Sequence, residues 1–488
     1  MYDVVLVLQA AVALLAGIFI VRAKSFSMYH PAVIYYMFHV LVFVIRPFLA
    51  YYGEYDTGLY MLYGFSPSEE TKIMSLFVSS FGLIVFTFFC LRAGWSPVHF
   101  MSPPKIDYEI KRTSRSFMII LLVLAPLAVW SALHDRGTAA GLDTGMTFNE
   151  ATGHSLNTNR NGYATDAQML AIPLCALVAY FYRYRIVSFV PLVTFVALNL
   201  GVSKRGPLIA AVLAFSLLYA YQKRLKFPNM RMVALLILTV VVFRISGDAR
   251  TATFSHIISG EVETTEQQEN SGPLESMDYA GNLFLEYIID VVPDKSGTFD
   301  YFADNLEVFT APIPRVMWKD KPDGSPIVRV DLFRYGYPIG MTKSIPGEGW
   351  FAFGWLGVAL WCGLAGHLLG ILYQRFASGR GTLYEALGYL SFLASLVIVY
   401  RNGEIPTLAR QCLWVLLPVV LASWLGRRLG SPPPYEIAMS LLRQRQAKEL
   451  VPSTSASQAE DRRARTLPPP VRRRRKMLAE WAKEGGGT

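Results

Sequence analysis

Apolar residues occur along this chain in long continuous runs, separated by short polar segments. A bilayer core of roughly 30 Å needs about 20 mostly apolar residues in one helix, and about eleven runs approach or reach that length. The runs cover residues 4–21, 31–50, 73–90, 117–133, 167–182, 186–200, 207–221, 232–243, 349–373, 383–400 and 412–425. A backbone in lipid must satisfy its own hydrogen bonds, so continuous runs predict helices and exclude the alternating strands of a β-barrel. The expected fold is an all-α, polytopic membrane helix bundle with about eleven transmembrane helices.

The composition supports a membrane protein. The chain is 53% hydrophobic and only 17% charged, whereas soluble domains are typically about 25% charged. The first run has no preceding cationic segment, which favours a retained anchor over a cleaved signal peptide. All four cysteines lie inside apolar runs, so neither a disulfide framework nor a zinc site is expected.

The cationic loops alternate along the chain and predict its orientation. Short loops rich in Lys and Arg stay in the cytoplasm, and such loops follow the first, third, fifth, seventh and ninth runs. All of them become cytoplasmic together if the N-terminus is outside and the C-terminus is inside. The chain is therefore expected to cross its membrane several times in that orientation.

Two regions are predicted to lie outside the bilayer, apart from the transmembrane domain of residues 1–425. The first is an external loop, residues 245–346, between the eighth and ninth runs; loops of this length usually carry function. The second is a basic cytoplasmic tail, residues 426–488, with 14 Lys and Arg against 6 Asp and Glu. The tail is expected to be disordered and solvated, or to dock on the anionic inner leaflet. No nucleic-acid partner is expected.

A few cations fall on the predicted outer side, against the general trend. Lys204 and Arg205 occur in SKRGP, just before a run that begins with Pro207. Pro is favoured in the first turn of a helix, and a helix N-terminus with two cations is suited to binding an anion. The alternative is that both side chains snorkel at the membrane interface. The wrong-side placement favours the anion site.

Two further outward cations occur in short, distinctive segments. Arg315 lies in IPRVMWKDKP, where prolines stiffen the chain, and Arg401 lies in YRNGEIPTLAR between the last two runs. A solvated loop is the alternative for Arg315, and a local Arg–Glu pair is the alternative for Arg401. Both remain candidates for anion binding.

Glu348 is the last acidic residue before the long aromatic run in IPGEGWFAFGWLG. A carboxylate at the border of water and lipid is partly desolvated, which suits a general base near neutral pH. The flanking glycines would let the backbone approach a ligand closely. A simple interfacial charge is the alternative, and His134, His154 and Glu404 are the other candidate bases.

Taken together, these segments resemble the Wzy-type O-antigen polymerases, or oligosaccharide repeat unit polymerases, within the GT-C type membrane glycosyltransferases. The matching pieces are SKRGP opening a span, PRVMWKDKP late in the large loop, PGEGWFAFGWLG entering the next span, and RNGE before the final span. The likeness covers roughly residues 186–425 and does not include the tail.

The resemblance implies a polymerase that joins undecaprenyl-diphosphate-linked oligosaccharides at the outer face of the inner membrane. It carries diphosphate binding onto Arg205, with Lys204 beside it, and onto Arg315 and Arg401. It carries the base onto Glu348, where the related O-antigen ligases usually have His. Membrane lipids and a chain-length regulator protein are the other partners that it suggests.

The residues also allow other functions. An O-antigen ligase or another lipid-dependent glycosyltransferase would use the same groups, whereas a transporter or flippase would need cations through the bundle and two-half symmetry. No internal repeat is visible in the sequence, and the outlying cations cluster at one face. Neither a Walker A motif nor a DxD or HExxH motif is present, so the expected chemistry needs no cofactor and no metal.

Overall fold

In the part of the chain that its computed structural model describes, the regular secondary structure is all helical, without strands. The described residues are 1–53, 65–140, 162–199, 206–230, 232–234, 274, 279–313, 317–322, 325–336 and 342–450. The helices are α1 (Tyr2–Arg22), α2 (Pro31–Tyr52), α3 (Glu69–Ala93), α4 (Pro103–Ala140), α5 (Ala171–Phe181), α6 (Val190–Asn199), α7 (Gly206–Gln222), α8 (Gly281–Val291), α9 (Glu307–Thr310), α10 (Ser344–Ala377), α11 (Leu383–Asn402), α12 (Ile405–Arg428) and α13 (Tyr435–Leu450). Short 3₁₀ helices precede α5, α6 and α9, and another covers Leu332–Tyr335.

Seven of these helices are long and apolar enough to cross a membrane, namely α1–α4 and α10–α12. Three shorter apolar helices lie between α4 and the large loop, at Asp166–Phe181, Ile186–Leu198 and Gly206–Gln222. The ten helices correspond to ten of the apolar runs. The remaining run, residues 232–243, falls mostly outside the described residues. The protein is therefore a helical membrane protein, and the count of about eleven spans stays a prediction.

The most extensive helix packing in the bundle joins α3 to α10. Glycines along α10 allow it: a Cβ at Gly366 would lie 2.5 Å from the carbonyl oxygen of Phe86, and one at Gly370 would lie 2.5 Å from that of Cys90. Small residues at helix contacts are typical of membrane proteins, because they let backbones approach closely. The other side of α10 carries exposed leucines at four-residue spacing, at positions 356, 360, 364, 368 and 372, as expected for a lipid-facing surface.

Helix α10 reverses direction near its start. Phe353 and Gly354 have non-helical backbone angles, and Gly354 has a φ of 61° and a ψ of −138°, a conformation that essentially only glycine adopts. A Cβ at Gly349 would lie 2.7 Å from the Cα of Val358, whereas residues nine apart in a continuous helix are separated by about 13 Å. Residues 344–352, the short arm, therefore fold back against residues 355–377, the long arm.

This reversal corrects one expectation for the glycines beside Glu348. They were expected to let a ligand approach the backbone. Gly349 instead packs on the long arm, and Gly347 lies against the Ser344 hydroxyl and the Ile288 side chain. Their small size serves contacts within the protein.

The second span is irregular around a buried arginine. Residues Val40–Ile45 form a π-helix before Arg46, and Pro47 cannot donate a backbone hydrogen bond within the helix. Arg46 is 1% exposed, and its Nε donates to the carbonyl oxygen of Leu274 at 3.1 Å. An arginine within a span usually faces the protein interior with a partner, and Arg46 does so.

The chain divides into two compact units, residues 1–431 and 432–488. In the second unit, α13 forms where the sequence predicts a disordered tail. Its segment, YEIAMSLLRQRQAKEL, follows three prolines and is rich in good helix formers. The arginine-rich remainder of the tail lies outside the described residues.

Candidate functional site

The short arm of α10 is held at both ends by neighbouring segments. At its start, Ser344 has a φ of +62°, and its Oγ accepts from the amide of Gly347 at 3.4 Å. At its end, the amides of Asp300 and Tyr301 donate to the carbonyl oxygens of Phe351 and Ala352 at 3.0 and 3.1 Å. These two bonds satisfy carbonyl groups that a helix C-terminus leaves without partners. The loop at residue 300 is thereby fixed against the arm that carries Glu348.

Glu348 forms a buried ion pair with Lys343. The Lys343 Nζ lies 3.2 Å from Glu348 Oε2 and 3.0 Å from Asp304 Oδ2. Glu348 is 0% exposed and Lys343 is 8% exposed. One ammonium group therefore compensates two carboxylates that come from different segments of the chain.

Asn305 joins three segments at this point. Its amide nitrogen donates to Glu348 Oε1, and its amide oxygen accepts from the backbone nitrogen of Ile405 at 2.7 Å. Oε1 of Glu348 therefore accepts a hydrogen bond, whereas Oε2 has only the ion-pair contact with Lys343 among the described residues. The large loop, the short arm and the start of α12 meet at one polar cluster.

The turn between α11 and α12 packs directly on the start of the short arm. Gly403 has a φ of +80°, and a Cβ there would overlap the carbonyl oxygen of Ser344. The carbonyl oxygen of Gly403 accepts from the indole nitrogen of Trp361 at 2.8 Å. The RNGE segment is thus locked between the two arms of α10.

A second ion pair lies on the first turns of α12. Arg410 Nη1 is 3.3 Å from Asp166 Oδ2, and its Nη2 donates to the Thr407 hydroxyl at 3.2 Å. Arg410 therefore pairs with an acidic residue 244 positions away in the chain, and the local Arg–Glu pair considered for Arg401 stays a prediction.

Among the described residues, acidic groups outnumber cations around the short arm. We call Asp300, Asp304, Glu307, Lys343, Glu348, Glu404 and Arg410 the charged cluster. Burial raises the pKa of Glu307, against the opposing charge of Arg410. Burial also raises the pKa of Glu404, against Lys343 and Arg410. For Lys343, burial disfavours the ammonium form, but the carboxylates of Asp304 and Glu348 outweigh it and raise the pKa.

The carboxyl group of Asp300 is buried and has a strongly raised pKa. It is 0% exposed, and its Oδ2 accepts from the amide of Asp304 at 3.1 Å. Its Oδ1 is buried and has no hydrogen-bond partner among the described residues. Burial, together with the neighbouring charge of Asp304, raises the pKa of Asp300 to about 7. A carboxyl that titrates near neutral pH can both accept and release protons under physiological conditions.

The structure places some of the sequence candidates and leaves others outside its description. Glu348 and Glu404 lie in the charged cluster, and Arg401 lies in the last turn of α11, two residues before Gly403. Lys204, Arg205 and Arg315 lie outside the described residues, as do His154 and the side chain of His134. A Cβ built on Gly206, which follows Arg205, would lie 3.5 Å from the side chain of Ile398 in α11. The start of α7 therefore lies one turn of α11 from Arg401.

Sequence reasoning missed Asp300, Asp304, Asn305 and Lys343. These residues carry no recognisable motif. Lys343 directly precedes the short arm, and Asp300, Asp304 and Asn305 lie in the large loop, the last two in a single 3₁₀ turn. Their role depends on contacts between segments 39 to 100 residues apart. Only the folded chain brings them together.

Searches against protein-family models, curated proteins and solved structures find no match to this chain. In the described part of the chain, no group of three or more His, Cys, Asp or Glu residues is arranged to hold a metal ion.

Proposed function

We propose that this chain is a polymerase of lipid-linked oligosaccharides. It joins undecaprenyl-diphosphate-linked repeat units into O-antigen or exopolysaccharide at the outer face of a bacterial inner membrane. The observation that carries the proposal is the meeting of separate sequence segments at one end of the bundle. At Gly403 the RNGE segment packs against Ser344 and Ile345, which directly precede the PGEGW segment more than 50 residues away in the chain. The SKRGP segment ends at the first residues of α7, and this start of α7 lies about one turn of α11 away from Arg401.

The large loop contributes to the same place. Its residues 300–305 contact the short arm and the start of α12. The segment that contains KDKP is fastened to the loop through Lys321, whose Nζ donates to the carbonyl oxygens of Ala311 and Ile313 at 3.2 and 3.0 Å. A loop folded over helix ends in this way is a suitable frame for residues that bind a substrate.

The reaction asks for two kinds of group. The leaving lipid diphosphate departs as an anion and needs cations, for which Arg offers a bidentate fork matched to phosphate oxygens. Arg205, Arg315 and Arg401 are the proposed diphosphate ligands, with Lys204 beside them. Cations placed where negative charge develops can contribute several kcal/mol to transition-state stabilisation.

The acceptor is a sugar hydroxyl, which is a weak nucleophile until a base removes its proton. The carboxylates of the charged cluster are the groups available for this step. Glu348 was the candidate from the sequence, and its two oxygens are held by Asn305 and Lys343. We therefore assign to Glu348 the positioning of Lys343 within the cluster, and the proton acceptor is sought among its neighbours.

The test is the product formed from a purified lipid-linked repeat unit. The purified protein in detergent or nanodiscs is mixed with this single substrate, and the products are separated by size. A ladder of products that differ by one repeat unit is the expected result. A single transfer to an added lipid A core would indicate a ligase instead, and substrate translocation in vesicles without any chemistry would indicate a transporter.

A further inference from the structure

We propose that Asp300 is the residue that takes the proton of the acceptor hydroxyl, through its Oδ1 atom. This role rests on the proposed glycosyl transfer and identifies a group that the sequence did not single out. The hydroxyl proton passes to Asp300 Oδ1 as the sugar oxygen bonds to the anomeric carbon of the donor. The bond from that carbon to the diphosphate breaks, and the diphosphate leaves with the electron pair as an anion.

The neighbouring carboxylates are engaged more fully than Asp300. Glu348 accepts a hydrogen bond from Asn305 through Oε1. Its Oε2 has no hydrogen-bond partner among the described residues, but it lies 3.2 Å from the Lys343 ammonium. Asp304 accepts from Lys343 at 3.0 Å. Asp300 is bound through Oδ2 alone, by the amide of Asp304. Its Oδ1 is buried without a hydrogen-bond partner among the residues described. A buried carboxylate oxygen left unpaired is costly, so a donor at Oδ1, such as a hydroxyl group, is the favoured complement.

Charge is also distributed unevenly among these carboxylates. Lys343 contacts Asp304 and Glu348 directly, so Asp300 has the weakest compensation of the three. When several carboxylates share too few cations, the least compensated one binds the proton most readily. The groups that face Asp300 are Asp304 on its own loop and Lys343 and Glu348 at the short arm. Glu404, on the α11–α12 turn, adds negative charge to the same field.

The backbone around Asp300 is rigid. The amide of Asp300 donates a hydrogen bond to the carbonyl oxygen of Phe351, and the amide of Tyr301 donates to that of Ala352. The following turn is fixed by the hydroxyl of Ser325, which donates to the carbonyl oxygen of Ala303 at 2.6 Å. A base held on a fixed backbone is well placed for proton transfer, because geometry decides its efficiency. Since Asp300 is fully buried, part of its cover has to move before a hydroxyl can reach Oδ1.

The test is the pH dependence of polymerisation in the purified protein. Asp300→Asn keeps the shape of the side chain and removes the proton acceptor. Asp294→Asn, which changes an exposed carboxyl in the same loop, is the matched control. We expect Asp300→Asn to lower the turnover number by roughly 100-fold or more, the usual contribution of a general base. The wild-type rate should rise as the pH increases through about 7, and the variant should lose that rise.

A second variant tests the same role without removing the base. Asp304→Asn takes away a neighbouring negative charge, which should lower the pKa of Asp300 and move the rising limb of the rate profile to lower pH. Melting temperatures identify any variant that fails to fold. A purely structural role for Asp300 would not move the limb in Asp304→Asn.

The outcomes separate this role from the proposed function. A wild-type protein that forms no glycosidic product overturns the proposed function and the role of Asp300 with it. An active wild type together with an Asp300→Asn variant within threefold of its rate overturns the role of Asp300 alone. The same holds if the rising limb in Asp304→Asn stays at the wild-type pH.

Discussion

Replacing Lys343 by Met gives the sharpest test of how the charged cluster is held together. Met has nearly the length of Lys and fills similar space, but it removes the ammonium group that lies 3.0 Å from Asp304 and 3.2 Å from Glu348. Glu348 is 0% exposed, so water cannot replace the lost cation without structural change. The carboxylates must then take up a proton or the segments must separate.

The magnitude follows from the burial of the pair. Removing one partner of a buried ion pair typically costs 3–5 kcal/mol, because the other charge stays buried without compensation. Each 1.4 kcal/mol is a tenfold change in an equilibrium constant, so the unfolding equilibrium should rise by roughly two to three and a half orders of magnitude. Proton uptake by Glu348 or Asp304 at low pH should reduce this loss.

Lys295→Met is the matched control. Lys295 also forms an ion pair, with Asp290, but its side chain is 55% exposed, and exposed pairs contribute about 0–1 kcal/mol. Both variants would be unfolded in detergent by denaturant, with tryptophan fluorescence as the readout. Equal stability losses in the two variants would refute the buried-pair reasoning. So would a loss in Lys343→Met that Glu348→Gln, added as a second substitution, does not partly restore.

Three further predictions concern the backbone, the topology and the diphosphate. Gly403→Ala should destabilise the protein clearly more than Gly297→Ala in the same denaturation assay. Both glycines have a positive φ, but only at Gly403 would the added Cβ overlap a neighbouring backbone. Equal losses of stability would contradict the packing of the α11–α12 turn. Tyr301→Cys and Ser431→Cys are each made in a background without other reactive thiols. In intact cells, an impermeant thiol reagent should label only the cysteine at position 301. Labelling at position 431 alone would reverse the orientation. Arg205→Lys keeps the charge but loses the bidentate fork, so polymerisation should fall at least tenfold, and unchanged turnover would favour snorkelling.

Much of the architecture could be predicted from the sequence, because continuous apolar runs report helices in lipid directly. Ten of the predicted runs match apolar helices among the described residues. The reversal of α10 could not be read in this way, since WFAFGWLG stays apolar through the turn. Hydropathy does not report the direction in which a helix runs. The reversal of α10 depends on the backbone of one residue, Gly354, which has a positive φ.

The candidate site was predictable only in part. Glu348 drew attention because it interrupts an apolar segment, and it lies in the charged cluster. Its burial and its pairing with Lys343 were not foreseen, because Lys343 reads as an ordinary loop cation five residues earlier. Asp300 and Asn305 carry no sequence signal at all, since their surroundings come from segments that are distant in the chain.

A pulse–chase measurement on the purified protein tests the central claim, polymerisation of lipid-linked units, most directly. Unlabelled lipid-linked repeat unit is supplied first, and a labelled unit is added after short chains have formed. The account predicts a ladder in which the newest, labelled unit lies next to the lipid diphosphate, because the growing chain is transferred onto the incoming unit. A label at the far end of the chain, or the absence of any product longer than one repeat unit, would contradict it.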